Sequence, residues 1–481
     1  MRDVKGCLDF LEANYPEEVI RTNVAIDPKE CDHAAWQELL AEKNRFPWIV
    51  FDNVKAWDGS RWPGYFTSVN MSTFRRVALL YGLDLNKSTP FDVILKHYEG
   101  KQNPIPPVVI STGEAPVKEV VLTGDKAKLD ILPIWRNAVL DSRPGWLTPI
   151  WGVRDPHTGR YNFSWHRGQC LDSKRTAARF YPPRHIYNYY QEYKKLGKNM
   201  PAIAILGHHP AFYAAASTSY SLEMDEYDGV SGIVNAATGE PLRVTESATW
   251  GKDFMIPADA EVVLEGEIDI NETAEVGQWC DAWRFYAPPS QMNVFKLNAI
   301  NMRARPILEG VVPKDHIIPN LCYAADAYEV LKHRFPGVKS VFVPFIQALI
   351  VSIKPSSPAE ASNIALSLYQ LGSDRVKHVI LVDEDINPYD MGEVFFAIVT
   401  RVDARQSVQI VNTMTNPNDT AAKGYYSGRA QQVGGLIIDA TRPYEPFPEV
   451  GISSEADRQR NLPAVMEMLK GISTSSKWNW G

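Results

Sequence analysis

EVVLEGEIDINETAEVGQWCDAWRFYAPPSQMNVFKLNAINMR, residues 261–303, decides how the chain is read. Its two ends, EVVLEGEIDI (261–270) and NVFKLNAINMR (293–303), alternate apolar and polar residues with the period of two expected of half-buried strands. PAIAIL (201–206) is another extended run. Just before it, HIYNYYQEYKKLG (185–197) reads as a helix ended by Gly197, where a left-handed residue stops a helix. Many short strands with one or two embedded helices over about 117–315 predict a barrel-like sheet domain.

Working outward, the N-terminal side mixes signals. Val4 to Glu12 has amphipathic spacing, PWIVFDNV (47–54) reads as a buried strand, and Ser72 to Leu83 as a helix with Ser72 at its N-cap. NPIPPVVISTGEAP (103–116) is too rich in proline and turn residues to continue a helix, which makes it a domain boundary. On the C-terminal side, helical and strand patterns alternate. AADAYEVLKHRF (324–335) is a helix stopped by Pro336 and Gly337, and SVFVPFIQALIVSI (340–353) is a long apolar strand region. PAEASNIALSLYQLG (358–372) is helical, HVILVDED (378–385) a buried strand, and MGEVFFAIVTRV (391–402) helical. Such alternation indicates an α/β domain. LPAVMEMLKGI (462–472) is amphipathic, an arm suited to docking on a neighbouring subunit.

At 481 residues the chain exceeds one ordinary core, which rarely passes about 250–300 residues. The expected division is an N-terminal mixed α/β domain (1–115), a strand-rich domain (116–317), a C-terminal α/β domain (318–460) and a C-terminal helix or tail (461–481). A formal charge of −7 argues against a nucleic-acid partner. No run approaches the roughly 18 apolar residues of a membrane span. The N-terminus lacks an apolar signal core, and the scattered Cys7, Cys31, Cys170, Cys280 and Cys322 suit reduced thiols in the cytoplasm. There is no GxxxxGK[ST], no GxGxxG after a strand and no GxSxG, so the usual P-loop, dinucleotide and α/β-hydrolase signatures are missing.

Three stretches carry candidate chemistry. YNFSWHRGQCLDSKRTAARFYPPRHIYNYY (161–190) holds Asn162, His166, Arg167, Arg184 and His185 among large aromatics. Arginine's planar fork matches two oxygens of a carboxylate or phosphate, and asparagine and histidine supply O and N ligands to a divalent ion. The same composition also suits a strand–loop–helix with surface charges. HHPAFYAAASTSYSLEMDEYDGVSG (208–232) offers small residues for close approach to a bulky cofactor, and Glu226 as a carboxylate ligand. A solvated acidic loop is the plainer account, and for His208 and His209 a turn is preferred, since adjacent histidines lack the i, i+4 spacing of a helical metal pair. EGEIDINETAEVGQWCDAWRFY (265–286) places Asp281 among Trp279, Trp283 and Phe285, where desolvation would raise its pKa toward that of a general acid.

Taken in order, the chain resembles the UbiD-type decarboxylases along nearly its whole length. FLEANYPEEVIRTNVAIDP, FPWIVFDNVK, KLGKNMPAIAILGHHPAFYAAAS, MDEYDGVSGIVNAATGEPLRV, IPADAEVVLEGEI, HVILVDEDINPYDMGEVFFAIVTRV and LIIDATRP carry the likeness. The resemblance implies a split β-barrel flavin-binding domain between an N-terminal mixed α/β domain and a C-terminal α/β domain for oligomer contacts, in a homodimer or homohexamer. It implies prenylated FMN supplied by a flavin prenyltransferase, Mn2+ (or Mg2+), and K+ or Na+. Carried over residue by residue, Asn162, His185 and Glu226 match the metal-holding set. Arg167 matches the substrate-carboxylate arginine beside the flavin, Arg184 is a phosphate neighbour, and Ser217 falls where small residues line the cofactor and a monovalent cation. Ser164, Trp165 and His166 belong to the same cofactor-binding stretch.

The departures sit at the proton-transfer end. Where the family commonly reads E-G-P-F-G-E, this chain reads V-G-Q-W-C-D (276–281): one glutamate becomes Asp281 and the other Val276, with Glu275 one residue earlier. The family's Gly-Lys near the flavin reads Gly435-Leu436. Asp281 is therefore read as proton donor, with Glu275 as its candidate partner and Trp165, Trp279, Trp283 and Phe345 as pocket lining. The implied reaction is reversible, non-oxidative decarboxylation of an aromatic or heteroaromatic, phenolic, hydroxybenzoate-like acid. An acrylic acid is the second substrate class. A flavin oxidoreductase, or a non-catalytic subunit of a carboxylase complex, are readings of other classes.

Overall fold

The computed structural model describes residues 1–68, 72–182, 184–311, 317–372, 375–415, 419–422 and 431–468. At its centre the strands Val262–Val276 and Ser290–Met302 pair antiparallel from Val262↔Met302 to Val276↔Ser290. They are the spine of a nine-stranded sheet. From them it runs one way through 175–178 and 168–172 to 146–147, and the other way through 200–206 and 150–154 to 161–165. The two ends of that path are forced together by the chain itself. Only two residues separate Leu147, at one end, from Ile150, beside the other, and an extended residue spans no more than about 3.6 Å. The same holds where Trp165 passes to Gly168. The sheet therefore curls into the split barrel that the sequence implied, filled by Trp146, Trp151, Leu264, Ile268 and Phe295.

The alternation expected over 261–270 holds only in part. Val262 to Gly266 are buried on both faces, because strands flank them on each side and elements cover both surfaces. Two glutamates are consequently buried. Glu265 is satisfied by Ser247 Oγ (2.7 Å), Ala248 N (2.9 Å), Thr249 N (2.7 Å) and Asn301 Nδ2 (2.7 Å). Glu261 accepts from Ile307 N at 3.0 Å, with Arg303 Nε 3.3 Å from its other oxygen.

Around the barrel, the N-terminal helix Val4–Asn14 and the strand Trp48–Val54 form where expected. The next helix is Phe74–Leu80, and its N-cap is Thr73, which accepts Arg76 N–H, rather than Ser72; the Ser72 hydroxyl donates to Phe46 O instead. The N-terminal sheet takes its fourth strand, Ile307–Glu309, from beyond the barrel. Helices Pro90–Gln102 and Glu226–Thr238 cross in direct backbone contact, since a Cβ on Gly232 would lie 2.4 Å from Asn103 O and 2.6 Å from Gly100 O. In the C-terminal domain the long apolar region is two antiparallel strands, Val338–Phe345 and Gln347–Ile353, turning where Gln347 takes φ 68°. They extend into a five-stranded sheet flanked by helices Pro358–Leu368 and Met391–Arg401. The helix Glu455–Met468 is largely exposed along its length, and the rest of the tail expected over 461–481 lies outside the described residues. No helix among the described residues is long and apolar enough to cross a membrane.

Four histidines are locked in this framework as neutral rings. Burial drives the imidazoles of His33 and His208 down to about 4 and those of His97 and His209 to about 3. Each folded value lies below the usual imidazole range, so the unfolded chain binds protons that the folded chain refuses. Their contribution is complete above pH 6.5 and drains away as pH falls toward 4, at up to about 1 kcal/mol per pH unit for each histidine. Urea midpoints should therefore fall steeply between pH 6.5 and 4.5; a flat profile over that interval would contradict neutral burial.

Candidate active site

The site begins at a helix start. Glu226 is the first residue of Glu226–Thr238, and the preceding Asp225 caps that helix by accepting Tyr227 N–H at 3.0 Å. The Glu226 carboxylate is thereby left to reach across to the outer barrel strand Tyr161–Trp165. Its Oε1 accepts Asn162 Nδ2 at 2.7 Å and its Oε2 accepts Phe163 N at 2.7 Å. His185, first residue of the helix His185–Leu196, brings Nδ1 to 3.3 Å from the same Oε1. Asn162 and Glu226 are each only 4% exposed.

Asn162 Oδ1 is buried there without a hydrogen-bond partner. A buried amide oxygen left unpaired costs free energy, and it lies beside a carboxylate and an imidazole. An amide oxygen, a carboxylate oxygen and one imidazole nitrogen suit an oxygen-preferring divalent ion such as Mn2+ or Mg2+. Among the described residues no three His, Cys, Asp or Glu side chains gather as a metal site; here the third donor is the asparagine.

Ser164 shares the Asn162 face of the strand Tyr161–Trp165, and His166 follows at its end. Ser164 Oγ and His166 Nε2 are buried and unpartnered. The His166 ring meets Phe180 and Tyr181 edge-on, and burial, then Arg184 and Arg167, depress it to about 3, so it stays neutral. Arg184 stacks on Tyr181 at 5.8 Å. Trp165 donates to Thr148 O at 2.9 Å and packs on Tyr213. Ser217 ends the helix Pro210–Ala216, and its hydroxyl donates to Tyr213 O at 2.9 Å.

Arg167 caps a pair of indoles that touch each other. Its guanidinium carbon is 5.7 Å from the Trp146 ring and 5.9 Å from the Trp279 ring, which are themselves 4.8 Å apart. Trp279 opens a small hairpin, Trp279–Cys280 with Tyr286–Ala287, and Asp281 occupies its turn. Asp281 is 4% exposed, and its Oδ1 accepts Trp283 N–H at 2.8 Å. Burial, then Asp141 and Asp281, push the Cys280 thiol up to about 12 while Arg167 opposes them, so Arg167 and Asp281 act on one shared neighbour. From the tip of the hairpin Trp283 meets Phe345 of the C-terminal domain at 5.9 Å.

The structure thus gathers Asn162, His185 and Glu226 on one carboxylate oxygen, and brings Arg167 to the hairpin that bears Asp281. It does not bring Glu275 there. Glu275 is exposed and Val276 is buried on the strand Val262–Val276, as alternation demands, so the shifted glutamate does not replace the lost one. Sequence reasoning also missed Trp146, Asp141 and Gln169, whose Oε1 accepts Gly277 N–H at 2.8 Å next to the hairpin. The LDSRPGW composition marks a turn around Asp141 but says nothing of its distant partner.

Comparison with known proteins identifies the family and the fold. Residues 108–316 match the family model described as the 3-octaprenyl-4-hydroxybenzoate carboxy-lyase Rift-related domain, and residues 316–440 match the C-terminal domain of the same enzyme. An uncharacterized protein of Archaeoglobus fulgidus is 27% identical over 377 residues, 75% of each chain. The UbiD-class enzyme HmfF from Pelotomaculum thermopropionicum, solved with FMN, is 25% identical with a TM-score of 0.82, over 94% of this chain and 98% of that one. The vanillic acid decarboxylase of Sedimentibacter hydroxybenzoicus in its open form shares the fold at 24% identity and TM-score 0.84, over 98% and 99% of the two chains. The chain belongs to the UbiD family, the prenylated-FMN-dependent decarboxylases.

Proposed function

We propose that this protein carries out reversible, non-oxidative decarboxylation of an aromatic or heteroaromatic acid, with a phenolic, hydroxybenzoate-like acid as the leading substrate class. The observation that carries the reading is the placement of Arg167 over the contacting Trp146–Trp279 pair, with Asp281 two residues beyond Trp279. Asn162, His185 and Glu226 would hold the divalent ion, with Ser164, Trp165, His166, Arg184 and Ser217 around the cofactor. When bound, prenylated FMN supplies the electron sink that carbon dioxide loss from an sp² carbon requires, since no side chain can.

The chain's own residues do the rest. Arg167 grips the substrate carboxylate through its two-pronged fork, and the paired indoles beneath it restrict its rotamers. The same indole faces favour a flat ring alongside. Departure of neutral carbon dioxide removes the charge that Arg167 was holding, so the grip relaxes as the bond breaks. Asp281 then delivers a proton from its carboxyl to the vacated carbon, in a site from which the tryptophans exclude water. Exposed Phe395 and Val399 on the helix Met391–Arg401, 60% and 79% accessible, together with the largely exposed helix Glu455–Met468, support a homo-oligomer, dimer or hexamer.

Asp281→Asn tests the proton-transfer assignment. It keeps the turn's acceptor for Trp283 N–H but cannot donate an acidic proton. Carbon dioxide release should fall by about 10²–10⁴-fold with flavin content unchanged. Native turnover in this variant would remove Asp281 from the mechanism.

A further inference from the structure

The turn that carries Asp281 is not paired with the barrel strands, and the barrel holds it through side chains: Trp279 packs on Trp146, and Gln169 Oε1 accepts Gly277 N–H at 2.8 Å. Pairing between the two central strands ends at Val276↔Ser290. Beyond that point Trp279–Cys280 and Tyr286–Ala287 form a separate two-stranded sheet with two residue pairs. An isolated hairpin of that size is not stable by itself. Something more must fix the position of Asp281.

Segment 140–142 does so, lying along the hairpin like a surrogate strand. Leu140 N donates to Tyr286 Oη at 3.2 Å and Ser142 N to Gln278 O at 2.9 Å. Between them, Asp141 Oδ1 accepts Cys280 N–H at 2.6 Å. Its Oδ2 accepts Asn137 N–H at 2.8 Å and Ala138 N–H at 3.1 Å, which folds its own loop into a rigid block. That block is anchored in turn. Arg136 donates to Asp141 O (2.8 Å) and Lys29 O (3.1 Å), and Asn137 Nδ2 donates to Val311 O at 2.8 Å.

Cys280 stands between Trp279, which flanks Arg167, and Asp281. A shift at its amide therefore moves the arginine's stacking partner and the proton donor together. We propose that Asp141 is a positioning residue for the decarboxylation, its carboxylate clamping the hairpin that carries Trp279 and Asp281 at a fixed setting relative to Arg167. The clamp requires a carboxylate. Both oxygens face N–H donors, and an asparagine would turn an NH₂ toward one set of them. Asp141 is 2% exposed and touches none of the groups proposed to bind cofactor or metal, so it acts through the hairpin alone. Burial pushes its carboxyl up, and the three N–H bonds pull it back.

The inference rests on the reading of Asp281 as proton donor, and the test has two arms so that the two can fail separately. Asp141→Asn, Asp281→Asn and the double variant are prepared as full-length holoproteins. The first arm reads amide hydrogen exchange in residues 277–287 by mass spectrometry. The second reads kcat and KM on whichever hydroxybenzoate the native enzyme turns over fastest. In Asp141→Asn, exchange should rise by about 10-fold or more in 277–287 and stay unchanged in the barrel strands. Its kcat should fall by about 10²-fold with KM held within about 3-fold, because a displacement of the order of 1 Å spoils the reaction more than binding. The double variant should be no slower than Asp281→Asn, as expected for residues acting as one unit.

Unchanged exchange in 277–287, exchange that rises throughout the molecule, or defects that multiply in the double variant would each overturn the clamp. Native turnover in Asp281→Asn would overturn the donor reading, and the positioning role with it, whatever the exchange arm shows. Should Asp141→Asn fail to fold, Tyr286→Phe loosens the same seam at its edge. It should raise exchange in 277–287 by about 3-fold, and no rise there would count against the clamp.

Discussion

Arg167→Ala lowers kcat/KM for carbon dioxide release by about 10³-fold or more while the protein retains its flavin. The size follows from removing one partner of a desolvated, hydrogen-bonded charge pair, which costs about 2–5 kcal/mol, and from losing the orientation of the scissile bond. Flavin retention follows from the geometry, because the cradle proposed for the cofactor and metal is built on Asn162, His185 and Glu226, and Arg167 is not among the partners of Glu226. Arg167→Lys should recover little. Lysine keeps the charge but loses the planar fork and its contact with the Trp146–Trp279 pair. Headspace carbon dioxide, normalised to flavin absorbance, measures the effect. Native turnover in Arg167→Ala would remove the carboxylate grip from the mechanism.

Glu226→Gln should purify folded but without metal and without flavin. The Glu226 carboxylate is the common acceptor of Asn162 Nδ2 and Phe163 N–H, and lies beside His185 Nδ1. Glutamine preserves the volume but offers one oxygen and an NH₂ where two acceptors are needed, and it removes the negative charge that draws a cation. Metal affinity should drop by at least about 10²-fold, more than is usual when only a group behind a ligand is altered. Flavin should be lost in step, since one cradle would hold both the metal and the cofactor. Glu226→Ala should add a stability loss of about 1–3 kcal/mol for each buried donor left unpaired. Elemental analysis and absorbance on the same sample test the coupling. Flavin retained at native level in metal-free Glu226→Gln would break the proposed link between them.

Much of the architecture was legible because its causes are local. The helix ended by Gly197 and the strand over 293–303 are written in a few consecutive residues, and both appear in the structure, although Ala299 to Met302 are buried on both faces rather than alternating. What was not legible depended on burial from afar. Glu261 and Glu265 read as the polar face of a strand, yet both are buried, because partners such as Asn301 and Ser247 satisfy Glu265 from other elements. The apolar run 340–353 hid a turn, because both of its strands are largely buried and the single Gln347 at the turn is itself buried, which composition does not reveal.

The site shows the same division. Family likeness named Asn162, His185 and Glu226, but not that they meet at one carboxylate oxygen across 64 and 41 residues of sequence. Glu275 was offered as a substitute for the glutamate lost at Val276, and strand alternation turns it to solvent. Asp141 escaped notice altogether, since its partner Cys280 lies 139 residues away and no short motif links them.

The central claim is that this cradle holds a prenylated flavin together with a divalent metal. The most direct measurement is mass spectrometry, absorbance and metal analysis of the native protein co-expressed with a flavin prenyltransferase in manganese-supplemented medium. The account predicts stoichiometric prenylated FMN and manganese, both lost in Glu226→Gln. A folded native protein that carries neither under those conditions would contradict the claim and favour a non-catalytic subunit.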